Sequence, residues 1–161
     1  MRREFAKWLA EKAEIDKDIY LIVGDIGYGL FDEFRKKFPD RFINIGICEQ
    51  SMISISAGMA LQGLKPYVYT ITPFLVERPF EQIKIDIDCN NANVKLIGYA
   101  DYPNQGPTHE LLNEGTYMTM FNNIRSYCFP LDSKEVRSIL DETYKNKKPT
   151  FISLRRDNSE K

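Results

Sequence analysis

Strand-like and helix-like segments alternate along all 161 residues of this chain, and this alternation limits the folds open to it. Short apolar runs predict buried strands, and apolar residues that recur every three or four positions predict helices that are packed on one face. Strands that alternate with helices favour a parallel sheet. The sequence therefore predicts an α/β fold, with a mainly parallel sheet of about six strands and helices on both faces.

The predicted elements follow one another without a linker, a repeat or a low-complexity tract. Ser133 is expected to cap the last helix, and Gly63 is expected to end the helix that begins at Glu49. The predicted strands cover residues 19–23, 42–45, 66–70, 94–99, 124–129 and 150–154, and the predicted helices cover 5–13, 30–38, 49–62, 80–89, 114–121 and 133–144.

The composition is that of an ordinary globular protein, and it argues against several classes of partner. Apolar residues make up 43% of the chain, charged residues make up 28%, and the formal net charge is −1. Without a strong electrostatic field, neither nucleic acid nor a membrane is expected as a partner. No apolar run approaches the roughly 20 residues that span a bilayer, and no signal-peptide core follows Met1. Three widely spaced cysteines then favour the reducing cytoplasm, and no cysteine–histidine cluster predicts a metal site.

Glu49 stands where a strand pattern changes into a helical one. The predicted strand 42–45 is followed by Gly46-Ile47-Cys48-Glu49-Gln50. A carboxylate at the start of a helix, just beyond the carboxyl end of a strand, lies where open α/β sheets bind ligands. A simpler interpretation is that Glu49 only stabilises the helix dipole, by about 0.3–1 kcal/mol. A second polar segment, residues 105–110, also follows a predicted strand and holds the chain's one histidine, His109.

Two further segments have a distinctive composition. Gly24 to Gly29 fits neither GxGxxG nor GxxxxGK[ST], and Asp25 would repel a phosphate, so a phosphate-binding loop is not indicated. The helix 49–62 is rich in small side chains, which favours either close packing on its own sheet or a close crossing with the same helix of a second subunit. These small residues are Ser51, Ser54, Ser56, Ala57, Gly58 and Ala60.

Four segments, in this order, resemble the pyrimidine-binding domain of transketolase-like, thiamine-diphosphate-dependent enzymes. They are Gly24-Asp25, Gly46-Ile47-Cys48-Glu49-Gln50, the stretch from Tyr69 to Phe74 that leads to Arg78 and Glu81-Gln82-Ile83, and Gly106-Pro107-Thr108-His109. Each motif is weak alone, but their order and spacing together are specific. The resemblance implies that residues 1–161 form a single pyrimidine-binding domain.

The resemblance also implies contacts with the cofactor, thiamine diphosphate. The glutamate that matches Glu49 hydrogen-bonds N1′ of the cofactor's aminopyrimidine ring and holds a proton there, which burial in an apolar pocket favours. Phe74 matches the aromatic residue that stacks on this ring, and Ile47 belongs to the matching cofactor segment. Asp25 matches an aspartate near the cofactor, although it also fits a simple turn residue. Arg78 fits either a residue that orients acidic neighbours or one that covers its helix.

Substrate contacts are implied for three residues. His109 matches a histidine that faces the substrate near the reactive carbon, where an imidazole suits proton transfer. Gln105 stands where the family usually has an aspartate that recognises a sugar hydroxyl. Phe129 stands where a phosphate-binding arginine precedes proline, which weakens the case for a phosphorylated sugar. Arg2, however, matches another phosphate-contacting arginine.

The resemblance also implies partner subunits. Full-length members of the family bind the cofactor's diphosphate through Mg²⁺ in a separate domain, with a Gly-Asp-Gly motif that does not occur here. The family's C-terminal domain is not matched either. We therefore expect a split enzyme, in which thiamine diphosphate is shared with a partner subunit that binds the diphosphate and Mg²⁺. A homodimer of this chain is expected within a heterotetramer.

Three functional hypotheses follow. The first is the small subunit of a split transketolase, active only with its partner, that transfers a two-carbon ketol unit between sugars or sugar-like substrates. The second is a subunit of a thiamine-diphosphate-dependent decarboxylase or of an enzyme like deoxyxylulose-phosphate synthase. The third is an inactive homologue that binds or regulates. The presence of both Glu49 and His109 argues against the third.

Overall fold

A computed structural model describes residues 1–103, 105–110 and 113–156 of the chain. Its strands are β1 (Ile19–Val23), β2 (Phe42–Asn44), β3 (Lys65–Ile71), β4 (Lys95–Tyr99), β5 (Arg125–Tyr127) and β6 (Thr150–Leu154). They form one six-stranded sheet in the order β2-β1-β3-β4-β6-β5, and each neighbouring pair is parallel. This sheet confirms the predicted α/β fold.

The helices lie between the strands in sequence, as the alternating pattern predicts. They are α1 (Arg2–Ile15), α2 (Asp32–Lys37), α3 (Glu49–Leu61), α4 (Thr72–Val76), α5 (Phe80–Gln82), α6 (Glu114–Met118) and α7 (Ser133–Asn146). α5 continues into a π-helix, Ile83–Asp88, and 3₁₀ turns cover Pro39–Arg41 and Pro107–His109. Among the described residues, no helix combines the length and the apolar character that crossing a membrane requires.

Helices cover both faces of the sheet and form a hydrophobic core on each. On one face, Trp8 of α1 and Leu140 of α7 share a core with Val23 of β1. On the other face, Ile53 of α3 packs with Ile22 of β1. Neighbouring residues of β1 therefore point to opposite cores, as the period of two in a strand requires. Burial on both faces explains why the inner strands β1, β3, β4 and β6 are largely apolar, whereas the edge strands β2 and β5 are more exposed.

The strand order reverses beside β1, and this reversal creates a crevice at the carboxyl edge of the sheet. From β1 the chain passes to β2 on one side, and β3 then lies on the other side of β1. Open α/β sheets bind ligands at such a switch point. Asp25 after β1, Glu49 after β2 and Phe74 after β3 all reach this crevice.

Two local predictions are wrong. The segment 80–89 is not one regular helix, because its second part makes wider π-helical turns. The π-helix ends at Asp88, whose buried carboxylate accepts hydrogen bonds from the backbone N–H groups of Asn123 (2.7 Å) and Ile124 (3.2 Å). Ser133 is not the cap of α7. Asp132 is the cap, because its carboxylate lies before the first turn and accepts from two backbone N–H groups of that turn, both at 2.8 Å.

Helix α4 is the element that the sequence pattern misses, and it carries Phe74 into the crevice. It begins directly after β3 at Thr72, with Pro73 in its first turn. Its first turn lies against Gly98 of β4, where a side chain would meet Thr72. The absence of a side chain at Gly98 therefore permits the close approach that positions α4.

We predict that Gly98→Ala lowers the free energy of unfolding by about 1–3 kcal/mol, the usual cost of overpacking a filled core. The added Cβ would overlap the Thr72 hydroxyl and would lie 3.2 Å from Thr72 Cβ. Urea denaturation followed by circular dichroism measures the change. The comparison is Gly58→Ala in α3, where an added Cβ meets no atom of this chain within 4 Å and alanine favours the helix, so the free energy of unfolding is not expected to fall. A wild-type denaturation midpoint for Gly98→Ala would show that this contact does not set the position of α4.

Candidate active site

Five of the residues singled out from the sequence surround one cavity at the switch point. The cavity has a volume of about 100 Å³, close to the size of one six-membered ring with small substituents. It is lined by Gly24, Asp25, Ile26, Ile47, Glu49, Thr70, Ile71, Phe74, Tyr102 and His109. The walls are therefore mainly apolar, with two carboxylates and one imidazole among them.

Glu49 is the buried acid of this cavity. It is the first residue of α3, and only 5% of its side chain is exposed. Its carboxylate accepts a hydrogen bond from Arg78 Nη1 at 2.6 Å. An isolated buried carboxylate would cost several kcal/mol, so the nearby guanidinium and the helix dipole both stabilise the charged form.

Phe74 is the aromatic wall of the cavity, and two functional side chains contact it. The guanidinium carbon of Arg78 lies 3.3 Å from the centre of the Phe74 ring. The His109 ring packs against Phe74 at an angle of 66°, with 4.8 Å between the ring centres. Phe74 thus links the buried acid and its cation to the histidine.

His109 is held at the cavity by aromatic neighbours. It ends the 3₁₀ turn Pro107–His109, and its ring stacks on Tyr102 with 5.8 Å between centres. Nδ1 of the imidazole lies 3.1 Å from the Thr108 hydroxyl. These contacts fix the ring plane while part of the side chain remains exposed to solvent.

Asp25 lies at the exposed rim of the cavity and also organises the loop after β1. Its backbone has a positive φ of 53°. Its carboxylate accepts hydrogen bonds from the Tyr28 hydroxyl at 2.6 Å and from Asn44 Nδ2 at 3.2 Å. These bonds, that from Tyr28 first, hold the pKa of Asp25 below its usual value. Asp25 therefore has the turn role that the sequence left open, and it also faces the cavity.

Ile47 and Arg78 extend the site outward. Ile47 is 70% exposed. A wider recess of about 470 Å³ begins at Ile47 and is lined by the start of α3 and by Arg78. Arg78 lies in the connection between α4 and α5, with 34% of its side chain exposed.

Gln105 and Arg2 do not line the cavity. Gln105 is exposed. Arg2 lies over the ring of Tyr99, with 3.8 Å between its guanidinium carbon and the ring centre. Tyr99 in turn packs against Tyr102 with 6.0 Å between ring centres, so Arg2 lies two aromatic rings away from His109.

Sequence reasoning missed Arg156, which lies beside the same tyrosine. Arg156 Nε donates to the Tyr99 hydroxyl at 3.4 Å, so Tyr99 lies between two guanidinium groups. The signal that could have found it was an arginine pair directly after β6, at the ligand-binding edge of the sheet. The two arginines differ, because Arg155 pairs with the buried Glu114 at 2.8 Å whereas Arg156 is exposed.

The family model for the transketolase pyrimidine-binding domain matches residues 1–161. The chain belongs to this family. A relative from Actinobacillus succinogenes, one of the subunits of an apulose-4-phosphate transketolase, is 39% identical over 75% of this chain and 40% of its own length. The 1-deoxy-D-xylulose-5-phosphate synthase of Aquifex aeolicus is 35% identical over 84% of this chain and 22% of its own.

The solved structures agree with this family. A split gene transketolase, in an inactive β4 tetramer, superposes with a TM-score of 0.85 and 27% identity over 97% of this chain and 51% of that chain. This chain spans about half the length of the first two curated relatives that it matches, covering 40% of one and 51% of the other. Four residues with a cofactor role by resemblance line the cavity, namely Asp25, Ile47, Glu49 and Phe74, and Arg78 lies beside it. Gln105 and Arg2 lie outside the cavity.

Proposed function

We propose that this pyrimidine-binding domain is the small subunit of a split, thiamine-diphosphate-dependent, transketolase-like enzyme. The observation that carries the proposal is the nearly buried carboxylate of Glu49 beside the ring of Phe74, at a cavity with room for one substituted ring. A planar heterocycle with a basic ring nitrogen needs such a pair of contacts, one to stack and one to hold a proton.

Each residue of the cavity has a role in this proposal. Glu49 binds N1′ of the aminopyrimidine ring and holds a proton at that atom. Phe74 stacks on the ring, Ile47 packs against it, and Asp25 lies near the cofactor at the open rim. When bound, thiamine diphosphate supplies the carbanion chemistry, while these side chains orient the cofactor and exclude water.

The diphosphate and Mg²⁺ are assigned to a partner subunit. The chain has no Gly-Asp-Gly motif with which to hold them. Two relatives are each named as one subunit of a transketolase, which supports a second subunit here as well. Thiamine diphosphate would then lie between the two subunits, with its ring in this chain.

The proposed substrate is a phosphorylated ketose, from which a two-carbon ketol unit is transferred to an aldehyde. Arg2 and Arg156 flank Tyr99 beyond His109, and guanidinium groups are good ligands for phosphate. The relatives named for apulose 4-phosphate support such a substrate. His109 moves protons at substrate oxygens, and the exposed Gln105 contacts a substrate hydroxyl.

A second candidate reaction follows from the similarity to 1-deoxy-D-xylulose-5-phosphate synthases. The same cofactor site serves both reactions, so the substrate decides between them. Assays of the reconstituted enzyme with ketose phosphates and with pyruvate as donors separate the two, because a decarboxylating synthase releases CO₂ and a transketolase does not.

We predict that Glu49→Gln slows exchange of the C2 proton of thiamine diphosphate at least about tenfold in the reconstituted enzyme, since glutamine has no acidic proton to share with N1′. Proton NMR in deuterated buffer measures the exchange. Cofactor affinity is expected to fall less than this rate. The matched control is Glu33→Gln on α2, an exposed glutamate outside the four matching segments. Wild-type exchange in Glu49→Gln would contradict the central role of this carboxylate.

We predict that His109→Ala leaves C2 exchange nearly intact and lowers turnover by about 100-fold or more, as expected for loss of a group that transfers protons to substrate. Steady-state assays against a panel of phosphorylated and unphosphorylated ketoses measure the loss. Glu110→Ala, an exposed neighbour, is the control. The assignment is wrong if His109→Ala turns over every donor normally, or if it loses C2 exchange as fully as Glu49→Gln.

The proposed assembly is a homodimer of this chain that binds two copies of the partner subunit. The small residues of α3 divide between two surfaces, since Ser56 and Ala57 are buried against the sheet whereas Ser51 and Gly58 are exposed. Ile55, on the exposed side of α3, is 45% exposed. An outward face that combines small and apolar residues suits a close helix crossing between subunits.

We predict that Ile55→Lys dissociates the homodimer, because it places charges of one sign at the centre of a two-fold contact. Size-exclusion chromatography with light scattering gives the mass of the wild-type chain and of the variant. Ile15→Lys is the control, since Ile15 is 78% exposed at the end of α1. A wild-type chain that is monomeric and binds no diphosphate-binding subunit would exclude this assembly.

A further inference from the structure

One side chain of the protein makes both contacts that would recognise the cofactor's ring. The guanidinium carbon of Arg78 lies 3.3 Å from the centre of the Phe74 ring, which is a stacking distance. Nη1 of the same group donates to Glu49 Oε1 at 2.6 Å. A planar, cationic group with N–H donors thus already lies on the aromatic wall and on the buried acid.

We propose that Arg78 is a displaceable stand-in for the cofactor's aminopyrimidine ring. This inference rests on the function proposed above. A guanidinium and a protonated aminopyrimidine are both planar and both donate N–H bonds to a carboxylate. Arg78 does not line the 100 Å³ cavity, but a ring that enters this cavity needs the carboxylate that Arg78 holds. Arg78 therefore leaves Glu49 when the ring binds.

The burial of Glu49 explains why a stand-in is needed. With 5% of its side chain exposed, this carboxylate has little access to water. A buried charge without a partner is strongly destabilising. Arg78 supplies the partner in the free subunit, and the cofactor supplies another when it binds.

The position of Arg78 allows the exchange. The residue lies outside the regular helices, in the connection between α4 and α5, and a third of its side chain is exposed. Rotation of this one side chain toward the wider recess beside Ile47 uncovers Glu49 without moving α3 or α4. Because an existing ion pair must break first, Arg78 lowers the affinity for the ring.

The first test uses the chain alone. Arg78→Ala is expected to lower the melting temperature by about 2–6 °C, because Glu49 loses its partner. Added methylguanidinium, which has the size of the missing group, is expected to restore part of this loss. The matched control is Arg125→Ala, since Arg125 pairs with Glu142 at 2.8 Å and lies 5.5 Å from the Tyr127 ring, away from the cavity. The melting temperature of Arg125→Ala is expected not to change when methylguanidinium is added.

The second test measures binding of 4-amino-5-hydroxymethyl-2-methylpyrimidine, a ring without the diphosphate, by titration followed with NMR. Arg78→Ala is expected to bind this probe about fivefold more tightly than the wild type, because no ion pair has to break. In a Glu49→Gln background the same change is expected to have little effect. Methylguanidinium is expected to compete with the probe in Arg78→Ala. If Arg78→Ala does not fold, Arg78→Gln removes the charge but leaves Glu49 a neutral hydrogen-bond donor, and it is expected to bind the probe more tightly than the wild type as well.

The outcomes separate two kinds of failure. If Arg78→Ala or Arg78→Gln binds the probe equally or more weakly than the wild type, Arg78 is not a stand-in, although the proposed cofactor site stands. If neither the wild type nor any variant binds the probe, the proposed function fails and the stand-in fails with it. Tighter binding together with rescue by methylguanidinium supports the proposal.

Discussion

The buried carboxylate of Glu49 is the interaction on which the site depends. Its neighbours at the start of α3 are exposed, but the Glu49 side chain itself is only 5% exposed, so an unpaired charge at this position would be costly. Arg78 offsets this cost, because its guanidinium donates a hydrogen bond to the Glu49 carboxylate at 2.6 Å. Stability of the domain therefore depends on this ion pair, and the proposed recognition of a planar ring uses the same carboxylate.

The sheet topology explains why chemically different residues meet at Glu49. The reversal of strand order beside β1 brings the ends of β1, β2 and β3 to one crevice, so side chains distant in sequence become neighbours. Close packing of Thr72 on Gly98 then sets how near α4 lies to the sheet, and this in turn positions the ring of Phe74. Packing at the sheet thus determines the geometry of the cavity wall.

Those features of the fold and the site that depend on local sequence pattern can be predicted from the sequence. The inner strands are largely apolar because both faces of the sheet are buried there, and Glu49 could be placed at a helix start from its neighbours alone. Helix α4 escaped prediction because Thr72-Pro73-Phe74-Leu75-Val76 continues the apolar run of β3. The cap Asp132 was misplaced by one residue, which periodicity cannot resolve. The dual contact of Arg78 depends on side-chain rotamers, which no sequence pattern contains.

The two halves of the site differ in how strongly their chemistry constrains the ligand. Around Glu49 and Phe74, a cavity of about 100 Å³ limits the shapes that fit, and the proposed recognition of the ring there depends on packing and on one shared proton. Around Tyr99, the exposed Arg156 and the half-buried Arg2 provide charge without an enclosing wall. Charge at an open rim attracts anions of many shapes, so in the proposed enzyme the choice of substrate depends less on this rim than on the residues beside His109. Under the proposed assignment, the half of the site around Glu49 can stay constant while the half around Tyr99 changes, as expected when function is set by a local site on a common scaffold.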